Sequence, residues 1–348
     1  MKIGFVINDI HTEIAAYTTV RLAVAARNLG HDVWLFSVAD FIYDPDGSVH
    51  ATAVTPQKKK YKSNESLLKE LQDENAQQDR VPIDDLDILM LRNDPAEDAT
   101  GRPWAQTAGI LFGKLAIERG VIVLNDPSHL AYALNKTYFQ HFPEEARPET
   151  CIARDVESIR RFIDAHDGRA VIKPLQGSGG QNVFLAQPGE KANINQMVEA
   201  VLRDGYAVVQ EYLPAARGGD MRLFVMNGRV LQVDGQYAAF RRVNQKGDAR
   251  SNVKAGGTIE VAEPDEQALR LVDIVRPKLV QDGMYLVGLD IVGDKLMEIN
   301  VFSPGGIGVV ERLYDVNFAD YIIADLESKT MSHSYYGHRL TNVELATL

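Results

Sequence analysis

Residues 288–300 read Gly288-Leu289-Asp290-Ile291-Val292-Gly293-Asp294-Lys295-Leu296-Met297-Glu298-Ile299-Asn300, two apolar runs that flank a Gly-Asp-Lys turn. Folded about Asp294, the runs form an antiparallel hairpin that sets Asp290 opposite Glu298, because the two are equidistant from the turn. The two-residue alternation of a strand then places Glu298 and Asn300 on one face. Two carboxylates and an amide oxygen meet there, in strands otherwise made of Leu, Ile, Val and Met. Directly opposed carboxylates repel, so a metal ion is the natural compensation. Mg2+ prefers hard oxygen ligands and keeps places for water and phosphate. The competing reading of the same hairpin is a polar edge that faces solvent.

Upstream, two strand-like runs, Val171–Leu175 and Asn182–Ala186, flank the loop Gln176-Gly177-Ser178-Gly179-Gly180-Gln181. Glycines let backbone N–H groups come close to phosphate oxygens, although a glycine-rich hairpin loop is by itself a plain turn as readily as a phosphate cradle. Lys173, set between apolar strand residues, tips the balance, since a lysine there is costly unless its ammonium meets a partner. A third group is cationic: Arg222, Arg241, Arg242 and Arg250, with Asn252 and Lys254. Solvated surface explains Arg241, Lys246 and Lys254; the others suit guanidinium clamps on carboxylate and phosphoryl groups.

The first half has another texture. Ile3–Ile7, Asp32–Ser37, Leu86–Leu91 and Val121–Leu124 read as strands, with helices over about Thr18–Leu29 and Trp104–Glu118. Such alternation predicts a Rossmann-like α/β unit with a mostly parallel sheet. It holds neither a Gly-x-Gly-x-x-Gly turn nor a Gly-x4-Gly-Lys-Ser/Thr loop, which argues against a nicotinamide-dependent enzyme built on this unit. Asn125-Asp126-Pro127-Ser128 is a turn cluster and marks a domain boundary. Beyond it, short strands, the Asn227-Gly228 hairpin signal and a helix over about Pro264–Val280 predict an α+β region with antiparallel sheets.

The chain has 348 residues, 45% hydrophobic and 24% charged, as in ordinary soluble globular proteins. A net charge of -11 speaks against general nucleic-acid binding. Lys58-Lys59-Lys60-Tyr61-Lys62 and the polar stretch after it read as a solvated loop or exposed helix. The single cysteine, Cys151, excludes an intrachain disulfide and reads as a small buried residue. No apolar run approaches the ~20 residues that span a bilayer, and a cytoplasmic protein without membrane contact is expected.

In their order these pieces resemble the ATP-grasp superfamily and, within it, the prokaryotic-type glutathione synthetases. The resemblance is carried by Arg92-Asn93-Asp94-Pro95, Val123-Leu124-Asn125-Asp126-Pro127, Asn135-Lys136, Ile172-Lys173-Pro174-Leu175 with its glycine loop, Gln210-Glu211-Tyr212-Leu213-Pro214, Gly219-Asp220-Met221-Arg222, Arg250-Ser251-Asn252, and the hairpin continued through Val301-Phe302-Ser303-Pro304. It implies an N-terminal α/β domain (1–125), an ATP-grasp subdomain with the glycine-rich loop (126–208), a second with the metal site (209–330) and a tail (331–348). It further implies ATP bound by Lys136, Lys173, Gly177, Ser178, Gly179, Gly180, Gln210, Glu211, Tyr212, Leu213 and Asp220. Mg2+, with Mn2+ as a substitute, would sit on Asp290, Glu298 and Asn300. Arg222, Arg242, Arg250 and Asn252 would serve the acyl group, and Thr18, Thr19, Arg92, Ser303, Gly305 and Gly306 the substrate.

The implied activity is carboxylate–amine ligation through an acyl phosphate, with amino-acid or dipeptide substrates and a homo-oligomeric enzyme. Asp290→Asn or Glu298→Gln is expected to abolish it with the fold intact. Departures from the family pattern fall where substrate is read. Ala15-Ala16-Tyr17-Thr18-Thr19 lacks a charged pair that the family usually carries, and Gly305-Gly306-Ile307-Gly308 replaces a more polar segment. Joining γ-glutamylcysteine to glycine is the nearest expectation; another amino-acid pair, or an ATP-binding regulatory protein without catalysis, remains open.

Overall fold

Five of the six residues of Lys2–Ile7 are buried, as suits a strand covered on both faces. The computed structural model describes residues 1–99, 101–177, 182–189, 191–243 and 258–348, apart from the side chains of residues 191 and 192. In it, Lys2–Ile7 pairs in parallel with Asp32–Ser37 on one side and Ile88–Leu91 on the other, and Ile122–Leu124 continues the parallel run. Three strands that periodicity did not suggest extend this sheet: Phe41–Tyr43, Val49–Val54 and Gln78–Pro82, all antiparallel. They form a half-polar margin, so no continuous apolar run announces them. The polar stretch after Lys62 contains the helix Asn64–Leu71, whose Leu67, Leu68 and Leu71 are buried while Lys58, Lys59 and Lys60 stay exposed.

A second sheet follows in the order Phe184–Ala186, Ala170–Pro174, Ala207–Glu211, Thr150–Ala153, antiparallel throughout. With the helices Val156–Ala165 and Lys191–Leu202 it forms a core of its own around Ile159, Ile163, Ile172, Val198 and Val209. The strand Ala207–Glu211 crosses the expected division at residue 208.

The third sheet runs Thr258–Val261, Ala239–Val243, Asp220–Met226, Leu286–Val292, Lys295–Asn300. Every residue of Asp220–Met226 and of Leu286–Val292 is buried. Asn227-Gly228 makes the expected two-residue turn, with Met226 paired to Arg229 and both turn residues at positive φ. In the 288–300 hairpin Asp290 does face Glu298, by a different route from the one the spacing suggested. Gly293-Asp294 is a two-residue turn, since Val292 pairs with Lys295 and Ile291 with Leu296; an irregularity at Met297 then shifts the register so that Glu298 meets Asp290.

Side-chain bonds join the first and third sheets. Asn125 accepts from Leu286 N at 3.0 Å and donates to the carbonyls of Leu286 and Val301. Residues 331–348 begin inside the helix Phe318–Tyr336 and end in the helix Asn342–Thr347. There Asn342 accepts from Val123 N at 2.8 Å and donates to Val123 O at 2.9 Å, so this segment is docked on the first sheet.

Candidate active site

The three sheets enclose a cavity of about 910 Å³. Pro148, Val171, Phe184, Leu185, Tyr212 and Leu213 wall it from the second sheet, and Glu13, Tyr17, Arg92 and Glu97 from the first. Arg222, Arg242, Asp290, Glu298 and Asn300 line it from the third. A recess of about 140 Å³ shares Lys136, Lys173, Gly177 and Glu298 with it. The volume suits a small-molecule site.

The third-sheet wall is built on a saturated ionic cluster. Pairing of Asp220–Met226 with Leu286–Val292 sets Arg222 directly opposite Asp290. Arg222 grips that carboxylate in a fork, Nε on Oδ1 and Nη2 on Oδ2 at 2.9 Å, and its Nη1 reaches Gly305 O at 3.3 Å. Arg242 bridges Asp290 at 2.8 Å and Asp220, where its Nε lies 3.0 Å from Oδ2. Gly219 makes this approach feasible: at φ +88, a Cβ there would stand 1.8 Å from Arg242 O. Burial by itself would raise the Asp290 pKa, but the two guanidiniums outweigh it and hold the group at about 2. The counter-charge that the sequence assigned to a metal is therefore supplied to Asp290 by protein. Asp220, expected at the nucleotide, is 1% exposed, lies among neither set of cavity-lining residues and belongs to this cluster.

The lysines differ. Lys173 is 9% exposed and makes no hydrogen bond or ion pair among the described residues. Burial brings its pKa down to about 8, against the pull of Glu298 and with the push of Lys136. Lys136 donates to Gly177 O at 2.9 Å, and burial likewise lowers its pKa. Two neighbouring ammonium groups with one carbonyl between them call for an anion. Glu298 is felt by both but bonded to neither. Asn300 turns its Nδ2 to Asp290 Oδ2 and Gly288 O, both at 3.3 Å, which leaves Oδ1 as an open acceptor.

Glu298 and Asn300 are thus the oxygen donors ready for a hard cation, with Asp290 already committed to arginine. Among the described residues no three His, Cys, Asp or Glu side chains form a metal cluster. This set fits Mg2+, which takes few protein ligands and completes its shell with phosphate and water.

The remaining expected residues divide. Gln210 lines the cavity and donates to Thr150 Oγ1 at 3.2 Å; Glu211 Oε1 accepts from Glu149 N at 2.9 Å. Thr18 and Thr19 are 1% and 2% exposed, and both are tied to protein. Thr18 Oγ1 accepts from Gly306 N at 3.1 Å and Ile307 N at 3.2 Å; Thr19 Oγ1 accepts from Arg92 Nε at 3.3 Å. Arg92 also donates to Pro304 O at 3.1 Å, so the first sheet holds the 303–306 segment in place. Ser303, Gly305 and Gly306 line the cavity; Gly306, at φ +119, packs under the Phe240 ring, where a Cβ would approach within 2.6 Å. Ser178, Gly179, Gly180, Arg250 and Asn252 lie outside the described residues. Sequence reasoning did not single out Glu13, Glu97 or Tyr17. Glu13 lies in a loop with no motif of its own, Tyr17 caps the helix that begins at Thr18, and Glu97 sits in the short helix Pro95–Asp98, just after the Arg92–Pro95 stretch.

Residues 135–315 match the family model for the ATP-grasp domain of prokaryotic glutathione synthetase, and residues 1–131 match the one for its N-terminal domain. The chain belongs to the prokaryotic glutathione synthetase family. It is 32% identical to a glutathione synthetase of Gloeobacter violaceus, over 93% of this chain and 95% of that one. A glutathione synthetase of Vibrio parahaemolyticus is 28% identical over 94% and 98%. Solved structures with the same fold include a D-cycloserine synthetase, with TM-score 0.61, 14% identity and coverage of 94% and 99%. Another is the ATP-grasp ligase PsnB complexed with a minimal precursor, Mg and ADP, with TM-score 0.57, 16% identity and coverage of 94% and 98%. This member of the glutathione synthetase family is an ATP-dependent ligase of the peptide-forming kind. No helix among its described residues is long and apolar enough to cross a membrane.

Proposed function

We propose that the chain joins γ-glutamylcysteine to glycine, using ATP and forming an acyl phosphate on the way. The observation that carries this is the pair Lys136 and Lys173: ammonium groups without a counter-ion among the described residues, facing Glu298 across a cavity. Phosphate oxygens on the lysines meet that demand, with Gly177 beside them. The apolar wall of Val171, Phe184, Tyr212 and Leu213 suits an adenine ring, with Gln210 and Glu211 as its polar contacts. Glu298 and Asn300 would hold Mg2+, with Mn2+ as a substitute, and Asp290 would back them. When bound, that ion would neutralise charge on the phosphates.

The donor carboxylate lies between the nucleotide and the 303–306 segment. One of its oxygens attacks the γ-phosphorus and ADP departs. The acceptor amine, having lost its proton, then attacks the acyl carbon, and inorganic phosphate leaves with the former carboxylate oxygen. No protein nucleophile is needed, because positioning and charge neutralisation carry the reaction. Arg222 and Arg242, held by Asp290 and Asp220, give the third-sheet wall a fixed geometry, with guanidinium N–H groups toward the acyl group. Ser303, Gly305 and Gly306 shape the acceptor side. The single cysteine fits a reducing compartment such as the cytoplasm, and the homo-oligomeric state rests on the family resemblance.

Incubating purified protein with ATP, Mg2+ and candidate donor–acceptor pairs, and following ADP release, tests the assignment. Turnover with γ-glutamylcysteine and glycine is expected. Turnover confined to another pair would overturn the substrate assignment.

A further inference from the structure

Glu13 and Arg92 form a second pair of buried, opposite charges on the cavity wall, contributed by the first sheet. Glu13 is 7% exposed, and its Oε2 has no hydrogen-bond partner among the described residues. Arg92 is 4% exposed; it bonds Thr19 Oγ1 and Pro304 O, both neutral, and forms no ion pair among the described residues. The two sense each other's charge, yet do not meet. A buried charge left without a partner is costly, and two such charges of opposite sign along one cavity are satisfied together by a zwitterion.

The backbone that carries Glu13 is fastened. Gln72 Nε2 donates to Ile10 O at 2.7 Å and Glu13 O at 3.0 Å, and Asn64 Nδ2 donates to Ala15 O at 2.8 Å. The polar stretch after Lys62 thus serves the cavity, because its helix pins the loop that aims Glu13. Glu97 and Tyr17 line the same wall, and the charge of Glu97 is felt at Glu13.

We propose that Glu13 recognises an ammonium group on the carboxylate-donating substrate, the amino end of an amino-acid-like head whose own carboxylate is held by Arg92. The proposal rests on the ligase reading and narrows its substrate to donors with a free zwitterionic head, as γ-glutamylcysteine has. Burial, and Glu97 in addition, bring the Glu13 carboxyl to about 7 despite Arg92. An arriving ammonium therefore favours its ionised form and expels a proton at neutral pH.

Calorimetry on the full chain with Mg2+ and a non-hydrolysable ATP analogue reads this directly. The probes are γ-glutamylcysteine and glutarylcysteine, which lacks only the amino group. Wild type is expected to bind the first at least about tenfold more tightly, the scale of a charged hydrogen bond. At pH 7, runs in two buffers of different ionisation enthalpy should show proton release with γ-glutamylcysteine and none with glutarylcysteine. Glu13→Gln should bring the two affinities within about twofold and abolish the release; Glu97→Gln should weaken the preference less. Equal wild-type affinities, no binding of either probe, or an undiminished preference in Glu13→Gln would overturn the proposal. Should that variant fail to fold, the wild-type comparison and its proton count decide alone. ADP release with glycine, followed separately, tests the ligase reading. Selective binding without turnover would leave Glu13 assigned and remove the reaction, whereas turnover without selectivity would do the reverse.

Discussion

Two cationic regions of this molecule face one cavity and are treated in opposite ways. Arg222 and Arg242 are locked to Asp290 and Asp220 by the protein itself, in a cluster that is complete without ligand. Lys173 is buried and Lys136 half-buried, and the two have one carbonyl contact between them. The first region sets geometry and the second awaits charge. Buried ion pairs tend to fix a conformation, whereas an uncompensated buried ammonium is a binding site waiting for its anion.

The sharpest way to break this contrast is to remove one charge from each side. Asp290→Asn strands the Arg222 guanidinium in the third sheet and leaves Arg242 with Asp220 alone. It should cost about 3–5 kcal/mol of stability as well as activity, seen as a large drop in denaturant midpoint. This revises the expectation from sequence that the change would spare the fold. Lys173→Met should reduce ATP affinity at least about tenfold while leaving the melting temperature of ligand-free protein unchanged or higher, since a costly buried charge is gone. A melting temperature that falls as far as in Asp290→Asn would erase the distinction.

Titration sharpens it further. Asp290 lies at about 2 when folded, below its ordinary 3.8, so its stabilisation is present above about pH 4 and lost as pH falls through 2. Lys173 lies at about 8, below its ordinary 10.5, so the folded state loses this proton before the unfolded chain does. Its contribution to stability therefore rises with pH above 8. Buried Tyr138 and Tyr285, with raised pKa values, act in the opposite sense above their ordinary 10. Melting curves between pH 8 and 10 should show a rise in wild type that is smaller in Lys173→Met, where Lys136 and Lys329, also lowered by burial, still contribute. The smallest effects belong to the 303–306 segment. Gly306→Ala forces a Cβ against Phe240 at positive φ and should cost about 1–3 kcal/mol; Gly305→Ala meets nothing within 4 Å and should change stability by less than about 0.5 kcal/mol.

Much of this site was legible because the hairpin 288–300 carries polar residues where strands of its kind are apolar. The Asp290–Glu298 pairing followed from symmetry, although the symmetry arises from a two-residue turn plus an irregularity at Met297 that no spacing reveals. Lys173 announced itself by the cost of placing it in a strand. What stayed hidden depends on strand order: Arg222 faces Asp290 because distant strands pair, and only the folded sheet shows that Asp290 needs no metal to balance it. Glu13 is the clearest case. A lone glutamate in a loop carries no periodic or motif signal, and its meaning comes from burial and from an arginine far along the chain.

The central claim is that the cavity passes a donor carboxylate through phosphorylation. Ligation with a donor labelled by 18O in its reacting carboxylate tests it most directly. One labelled oxygen should appear in the inorganic phosphate for each peptide bond formed, with ADP as the nucleotide product. Unlabelled phosphate, or AMP in place of ADP, would contradict the account.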